Sequence, residues 1–332
     1  MPKEARILFI RFSAMGDVAM CLPVIKAFQN KHPNHRISIL TKEVFCPLFS
    51  ELSNVQLIGL QKEEGTFSLL QRILKFQSFD LVMDLHSSLR SRIICLTLAL
   101  KGAKTHKIDK RKSAKKKFLK TTNSLLKPIT SQVQAYVNVI QHFGFDLSTK
   151  DLSTIKKEKK SINKICIGVA PFAAHSSKTY PEDLMRALIE RLCTTNPNIE
   201  VILFGAPGNQ QEQLREWCGN SIQLKTNSGM CLKNELNVMS QLDLMISMDS
   251  ANGHMAVNYN VPVITIWGST HPFSGYQPLF QPLQNSFLPD YQMYPKLPSS
   301  IFGEREIRGY EDAMRSINQE SIILRIKEIL NL

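Results

Sequence analysis

The sequence lacks the features that mark membrane-spanning, secreted and zinc-dependent proteins. Its 332 residues include seven cysteines, an odd number, and no two of them form a C-x-x-C pair. This spacing argues against a zinc site or a disulfide framework and for the reduced thiols of the cytosol. The longest apolar run, Ile93 to Leu100, contains Thr97 and falls far short of the ~20 residues that a membrane span needs. Arg11 interrupts the N-terminal apolar segment and no small-residue cleavage site follows it, so we expect no signal peptide.

Glycine-rich nucleotide fingerprints are also missing. The first strand-like segment, ARILFIRF, leads into SAMGDVAM, which has the single glycine Gly16. This stretch matches neither G-x-G-x-x-G nor the P-loop. A dinucleotide-dependent oxidoreductase would carry the first pattern, with an acidic residue ~20 positions later. The sequence therefore excludes that class.

Positive charge is abundant and unevenly distributed. The net charge is +13, which suits nucleic acid, an anionic membrane surface or a phosphorylated substrate. Residues Lys101–Lys120 contain nine lysines and Arg111 against the single acid Asp109. A solvated loop is the simpler interpretation of such a block. A nucleic-acid surface would interleave aromatic residues with the cations, and the block has only Phe118, so we expect no nucleic-acid partner.

Strand-like and helix-like segments alternate along both halves of the chain. This alternation predicts right-handed βαβ units and a mainly parallel sheet in each half. The length suggests two domains, and the polar, lysine-rich stretch 146–163 is the natural linker. We predict an α/β protein of two doubly wound, Rossmann-like domains facing a cleft. The predicted boundaries are 1–155, 160–316 and a closing C-terminal helix over 317–332.

The turn after the first strand carries a lone carboxylate, Asp17. Ligands of open parallel sheets bind beyond the carboxyl ends of the strands, and Gly16 lets a ligand approach the backbone closely. Spacing alone favours a simpler role for Asp17 as a cap of the helix that follows. A catalytic role needs further support.

Two later strand ends have the composition of an anion site. The stretch SMDSANGH places Asp249 at the end of a strand, followed by small and polar residues that open a helix. Helix N-terminal amides there make a phosphate cradle. In HSSKTYP, two hydroxyls and Lys178 precede a helix that starts near Pro181. A fixed cation beside hydroxyls suits an anionic leaving group. The simpler interpretation of Lys178 is an ordinary surface lysine.

Four stretches taken together resemble glycosyltransferase family 9, which contains the ADP-heptose:lipopolysaccharide heptosyltransferases. They are ILFIRFSAMGDVAMCLPVIKAF, FDLVMDLHSSLRS, SKTYPEDLMRAL and DLMISMDSANGHMAVNYNVPVITIWGSTHP, in the family's order. The resemblance implies a glycosyltransferase B fold with an N-terminal acceptor domain and a C-terminal donor domain. It implies inverting transfer of a heptose from a nucleotide-sugar, ADP-heptose in the first place, to a lipopolysaccharide core acceptor. Another nucleotide-sugar stays open as an alternative, as does a basic nucleic-acid-binding protein of a different class.

The resemblance also implies roles for individual residues. Asp17 would be the general base, and Lys178 would neutralise the departing diphosphate. The expected donor and nucleotide contacts are Ser176, Ser177, Glu212, Asp249, Ser250, Ala251, Asn252, Gly253 and His254. The expected acceptor contacts are Ser13, Met15, Gly16, His86 and Arg90. Neither a metal nor a cofactor is implied, since the nucleotide-sugar is a co-substrate.

The sequence departs from the family pattern in two places near the donor motif. Ala251 replaces a glycine, and Gly253 stands where a methionine is frequent. The segment after residue 280 does not match the family's C-terminal pattern. A phosphorylated glycolipid acceptor lies in the inner leaflet while it is glycosylated, which gives Lys101–Lys120 a role against the anionic inner face of the cytoplasmic membrane. We therefore expect a cytoplasmic, peripherally associated enzyme.

Overall fold

The computed structural model describes residues 4–76, 78–156 and 164–332, which form two compact units. The first unit comprises Met1–Arg111 and Gln132–Thr154, and the second comprises Lys112–Ser131 and Ile155–Leu332. Residues 112–131, placed in the first domain by the predicted boundary, thus belong to the second unit. Of the predicted linker, residues 157–163 lie outside the described residues, and Thr149–Asp151 forms a 3-10 turn within the first unit.

The first unit is a five-stranded parallel sheet with helices on both faces. In chain order its elements are β1 (Arg6–Ile10), α1 (Met15–Ala19), α2 (Cys21–Lys31), β2 (Arg36–Lys42), β3 (Val55–Leu60), α3 (Thr66–Phe76), β4 (Leu81–Asp84), α4 (Leu89–Leu100) and β5 (Lys104–Lys107). The chain then forms α5 (Lys112–Phe118) in the second unit and returns as α6 (Gln132–His142). The strand order is β3-β2-β1-β4-β5.

Alternation along β1 explains the two helical layers of this unit. Leu8 and Ile10 pack in one apolar cluster with residues of α3 and α4, whereas Phe9 points to the other face and meets Phe28 of α2 with ring centroids 5.7 Å apart. Every residue of β1 after Arg6 is buried, as a central parallel strand covered on both faces requires.

The second unit repeats the plan with six strands. After α5 its elements are β6 (Ile165–Ala170), α7 (Glu182–Thr195), β7 (Ile199–Leu203), α8 (Asn209–Cys218), β8 (Leu224–Thr226), α9 (Leu232–Met239), β9 (Leu244–Met248), α10 (Ala251–Val257), β10 (Val263–Ile266), β11 (Ser286–Phe287) and α11 (Gln319–Leu330). The strand order is β11-β10-β9-β6-β7-β8, again all parallel. The C-terminal helix predicted over 317–332 forms as α11, which packs against α7 and β9 of this unit.

Strand order reverses once in each sheet, next to the segments that the sequence singles out. The reversal falls between β1 and β4 in the first unit and between β6 and β9 in the second. The loops leaving two such strands diverge and open a crevice at their carboxyl ends. Asp17 follows β1, Lys178 lies in the loop after β6, and Asp249 follows β9 directly.

Candidate active site

Asp17 is held at the crevice of the first unit by an ion pair. It is the third residue of α1, and its Oδ2 lies 2.5 Å from Nη2 of Arg11. The capping contact expected from the sequence is also present, because the amide of Ala14 donates to the same oxygen at 3.4 Å. Among the described residues, Oδ1 has no hydrogen-bond partner. An unpaired buried oxygen costs stability. A purely structural role for Asp17 therefore does not explain why Oδ1 is left without a partner.

Arg11 ties the two loops of this crevice together. Its Nη1 donates to the carbonyl of Leu85, after β4, at 2.7 Å, and its guanidinium lies 5.8 Å from the ring centroid of Tyr136 on α6. The Tyr136 hydroxyl in turn donates to the carbonyl of Asp17 at 3.1 Å. Sequence reasoning missed both partners. A charged residue at the end of an otherwise apolar strand was the available signal for Arg11, whereas nothing local to α6 pointed to Tyr136.

The turn after β4 is organised by Asp84, a fully buried carboxylate. It accepts from the amides of His86 and Ser87 at 2.9 and 2.8 Å and from the Ser91 hydroxyl at 2.9 Å. Ser88 then caps α4, its hydroxyl accepting from the Ser91 amide at 3.1 Å. These hydrogen bonds therefore fix the backbone position of His86. Asp84 also escaped the sequence analysis, although a carboxylate ending a buried strand was visible.

His86 contacts the Asp17 turn from the side. Its ring meets Phe12 edge-on at 5.6 Å. Burial lowers the pKa of His86 to about 4, and the positive charge of Arg11 acts in the same direction. The imidazole is consequently neutral at physiological pH, and its Nδ1 is buried without a partner among the described residues.

The predicted acceptor residues thus fall into two groups. Ser13, Met15 and Gly16 share the turn of Asp17, and His86 lies beside it. Arg90 is half-buried on the first turn of α4, where its charge contributes to a lowered pKa of Glu64 behind the stronger effect of Arg72. The structure therefore gives Arg90 an electrostatic partner on its own unit.

Lys178 is buried in the second unit and joins two distant motifs. Only 8% of it is exposed, so it is not an ordinary surface lysine. Its Nζ donates to the backbone carbonyl of Asp249 at 2.8 Å and to the Asp249 carboxylate at 3.3 Å. The Thr270 hydroxyl donates to the same carboxylate oxygen at 2.9 Å. An ammonium has three protons, so beyond these two acceptors among the described residues one proton remains for a further anionic partner.

A tight backbone crossing covers the stem of Lys178. Gly303 has a φ of +96°, and a Cβ built there would lie 2.7 Å from Cδ of Lys178. The Ser177 hydroxyl donates to the Gly303 carbonyl at 2.7 Å and lies 2.8 Å from Oγ of Ser269. At Gly268 a Cβ would meet the Ser177 carbonyl at 2.1 Å. Glycine at both positions is therefore a condition for the packing around Lys178.

The loop after β9 enters α10 with small residues, as predicted. Ser250 is the N-cap, and its buried hydroxyl has no partner within the described part of the chain. Ala251 and Asn252 are half-buried, and Gly253 and His254 are buried. A Cβ at Gly253 would lie 2.8 Å from Oγ of Ser247 on β9, so the glycine lets α10 pack closely on its strand.

The remaining predicted donor residues lie further out. Ser176 bonds to Glu306 and lines a cavity of about 420 Å³ together with Ser177, Ser269, Arg305 and Tyr310. This volume is in the range of small-molecule sites. Glu212 lies on the first turn of α8, at the end of β7, and is exposed. Among the described residues, no hydrogen bond or ion pair joins Glu212 to Lys178 or Asp249.

The basic block 101–120 contains the strand β5 and the helix α5 and divides between the two units. Lys104–Lys107 is the edge strand β5, whereas α5 packs in the second unit. Lys115 of α5 donates to the Tyr276 hydroxyl at 2.7 Å and lies 4.7 Å from the ring centroid of Phe302. Phe118 is buried and is not available to stack on bases.

Two doubly wound units, each with polar groups at its strand-order reversal, define an α/β protein of the glycosyltransferase B fold class. A solved glycosyltransferase family 9 protein from Veillonella parvula superimposes with a TM-score of 0.73 at 16% identity, covering 98% of this chain and 97% of that one. The Escherichia coli heptosyltransferase WaaC, solved with ADP-2-deoxy-2-fluoro heptose, superimposes with a TM-score of 0.68 at 15% identity over 97% and 99%. These similarities show the shared fold.

Sequence comparison identifies the family. The lipopolysaccharide core heptosyltransferase OpsX of Haemophilus influenzae is 23% identical over 290 residues, which are 82% of this chain and 80% of that protein. The family model for glycosyltransferase family 9 (heptosyltransferase) matches residues 67–299. The chain therefore belongs to glycosyltransferase family 9 and is a glycosyltransferase. The family-model match begins after the Asp17 turn.

Proposed function

We propose that the protein transfers a heptose from ADP-heptose to a lipopolysaccharide core acceptor, with inversion at the anomeric carbon. The names of the relatives support the acceptor, and the ligand in the WaaC structure supports the donor. The observation that carries the proposal is the buried contact between Lys178 and Asp249. It assembles a fixed cation from two predicted donor motifs at the strand ends where open α/β sheets bind ligands.

In this mechanism the first unit supplies the base. The Asp17 carboxylate takes the proton of the attacking acceptor hydroxyl, while the hydroxyl oxygen forms the new bond to the anomeric carbon. General base catalysis typically contributes ~10²–10⁴-fold. Arg11 is a positioning residue here, since it holds Oδ2 in an ion pair. The proton then goes to Oδ1, which has no hydrogen-bond partner among the described residues.

The second unit supplies the groups that bind the leaving group. As the bond from the anomeric carbon to the diphosphate breaks, the electron pair departs with ADP. Lys178 neutralises the charge that develops, and the Ser250 hydroxyl, which has no partner among the described residues, donates a hydrogen bond to the leaving group. Preorganised donors of this kind frequently provide most of the stabilisation of a transition state. No resident cofactor or metal takes part in the proposed steps.

We also propose that the enzyme works at the cytoplasmic face of the inner membrane. Among the described residues, no helix combines the length and the apolarity that a membrane crossing needs. Lys101, Lys104 and Lys107 are exposed on the first unit. Each basic residue near an anionic surface contributes ~1 kcal/mol to its binding.

Transfer assays with a panel of nucleotide-sugars test the proposal. We expect ADP-heptose to be the preferred donor, and Asp17→Asn to lower kcat by at least ~100-fold with little change in ADP affinity. Asp80→Asn, which removes a carboxylate paired with Arg6 on the same unit, is the matched control. Lys178→Met should weaken ADP binding as well as slow transfer. Equal turnover of wild type and Asp17→Asn would exclude Asp17 as the base.

A further inference from the structure

One helix of the first unit is apolar on both sides. Ile94 and Leu98 of α4 are buried in the core. On the opposite side Leu89, Leu96 and Leu100 are 78, 65 and 82% exposed, and Ile93 is 41% exposed. Their spacing of four, three and four residues places them in one line along the helix. We call this line the α4 stripe.

Exposed apolar side chains are common one at a time, but a line of four along one helix is not. The neighbouring helix α3, which packs against α4, adds Phe67 at 74% and Leu74 at 38% exposure. A stripe of this kind indicates a surface that is shielded from water when the protein functions.

The charge around the α4 stripe indicates which kind of partner covers it. Residues 85–108 contain no aspartate or glutamate, whereas Arg92, Lys101, Lys104 and Lys107 are all exposed there. Arg92 and Lys101 flank the stripe on α4 itself and at its C-cap. An apolar face whose own segment carries cations and no acidic residue is the pattern of a helix that lies in the interface of an anionic bilayer.

We propose that α4 is the membrane-binding helix of this enzyme, with the α4 stripe inserted among the lipids of an anionic bilayer and the flanking cations on their phosphates. The proposal deepens the proposed function, since a lipid-linked acceptor must be met at the membrane. It adds an apolar insertion to the charge attraction of the basic block. The stripe begins at Leu89, directly after the turn that carries His86 and contacts Arg11, so insertion brings the acceptor side of the first unit to the lipid surface.

Vesicle flotation with the full chain tests this inference without requiring activity. We expect binding to phosphatidylcholine vesicles with about 30% phosphatidylglycerol, and little binding to phosphatidylcholine alone. The double variant Leu96→Gln, Leu100→Gln should bind at least about tenfold more weakly. Leu324→Gln is the control, because Leu324 is 61% exposed on α11, close to the value for Leu96, and should bind like the wild type. Unchanged binding of the double variant would overturn the proposal.

A second measurement separates insertion from adsorption by charge. With Leu96→Trp we expect a blue shift of tryptophan emission on the same vesicles, and with Leu324→Trp none. Gel filtration addresses the alternative occupant: a wild-type dimer that becomes monomeric in the double variant would assign the α4 stripe to a second copy and refute the membrane proposal. Transfer to a water-soluble acceptor without acyl chains should be equal in wild type and double variant. Failure of that transfer in the wild type would count against the proposed function alone.

Discussion

The pairing of Arg11 with Asp17 yields a prediction about stability that is independent of catalysis. Their side chains are only 11 and 17% exposed, and Arg11 also donates to the Leu85 carbonyl. Removing one partner of a buried pair leaves the other charge uncompensated, at a cost of about 3–5 kcal/mol. We expect Arg11→Met to lower the free energy of unfolding by about 3 kcal/mol, the low end of this range, because the pair keeps some contact with solvent.

A double-mutant cycle isolates the interaction between the two charges. Asp17→Asn removes the negative charge, and in that background the loss caused by Arg11→Met should shrink by about 1.5–3 kcal/mol. The exposed pair Arg6 and Asp80, with side chains 42 and 39% exposed, is the matched control and should show a coupling of at most about 1 kcal/mol.

Cys21 offers a readout within the same unit. It is fully buried on α2, and its thiol donates to the Asp17 carbonyl at 3.4 Å. Burial raises its pKa to about 12, so alkylation in the folded state requires local opening. Alkylation rates measured by peptide mass spectrometry therefore report the opening free energy of this region. Additive effects of Arg11→Met and Asp17→Asn, within about 0.5 kcal/mol, would refute the proposed coupling.

Three further predictions concern the surroundings of the two crevices. Gly303→Ala should lower stability and weaken ADP binding by displacing Lys178. Gly309→Ala, at a similar φ of +82° but with no neighbouring atom within 4 Å of its Cβ, should lower stability alone. Calorimetry and ADP titration check both variants, and equal ADP affinity of the two would contradict the steric argument. The pKa of His86 is about 4 in the folded chain against 6.5 ordinarily, so the unfolded chain binds the proton at a higher pH than the folded chain does. Stability therefore falls as the pH drops from 6.5 towards 4. His86→Asn should flatten that dependence in urea unfolding at a series of pH values, and an unchanged slope would exclude His86 as its source. Lys115→Met removes the hydrogen bond to Tyr276 and should speed proteolysis within residues 112–131, while the exposed Lys116→Met should not; equal cleavage would show that Lys115 does not anchor α5.

Much of the fold could be predicted because the pattern of buried strands is local. An uninterrupted apolar run such as that of β1 indicates a central parallel strand, and the alternation with helices limits the topology. The membership of α5 in the second unit could not be predicted in this way. It depends on contacts of Lys115 and Phe118 with Tyr276, Phe302 and His271, which are remote in sequence.

The site was predictable to the extent that its residues follow strands. Asp249 and Lys178 stood out because strand ends of open sheets bind ligands, and the structure brings these two together. The roles of Asp17 and Lys178 stay predictions. Partners that act across elements, such as Tyr136 and Thr270, escaped because a tyrosine on a helix or a threonine in a loop has no pattern of its own.

The assignment of residues 112–131 to the second unit has a consequence for synthesis of the protein. The polypeptide passes from one unit to the other after residues 111, 131 and 154, so no single cut divides it into two self-sufficient halves. Lys115 leaves the ribosome 161 residues before Tyr276, the side chain on which it docks. Helix α5 therefore lacks this docking contact until most of the second sheet has been synthesised.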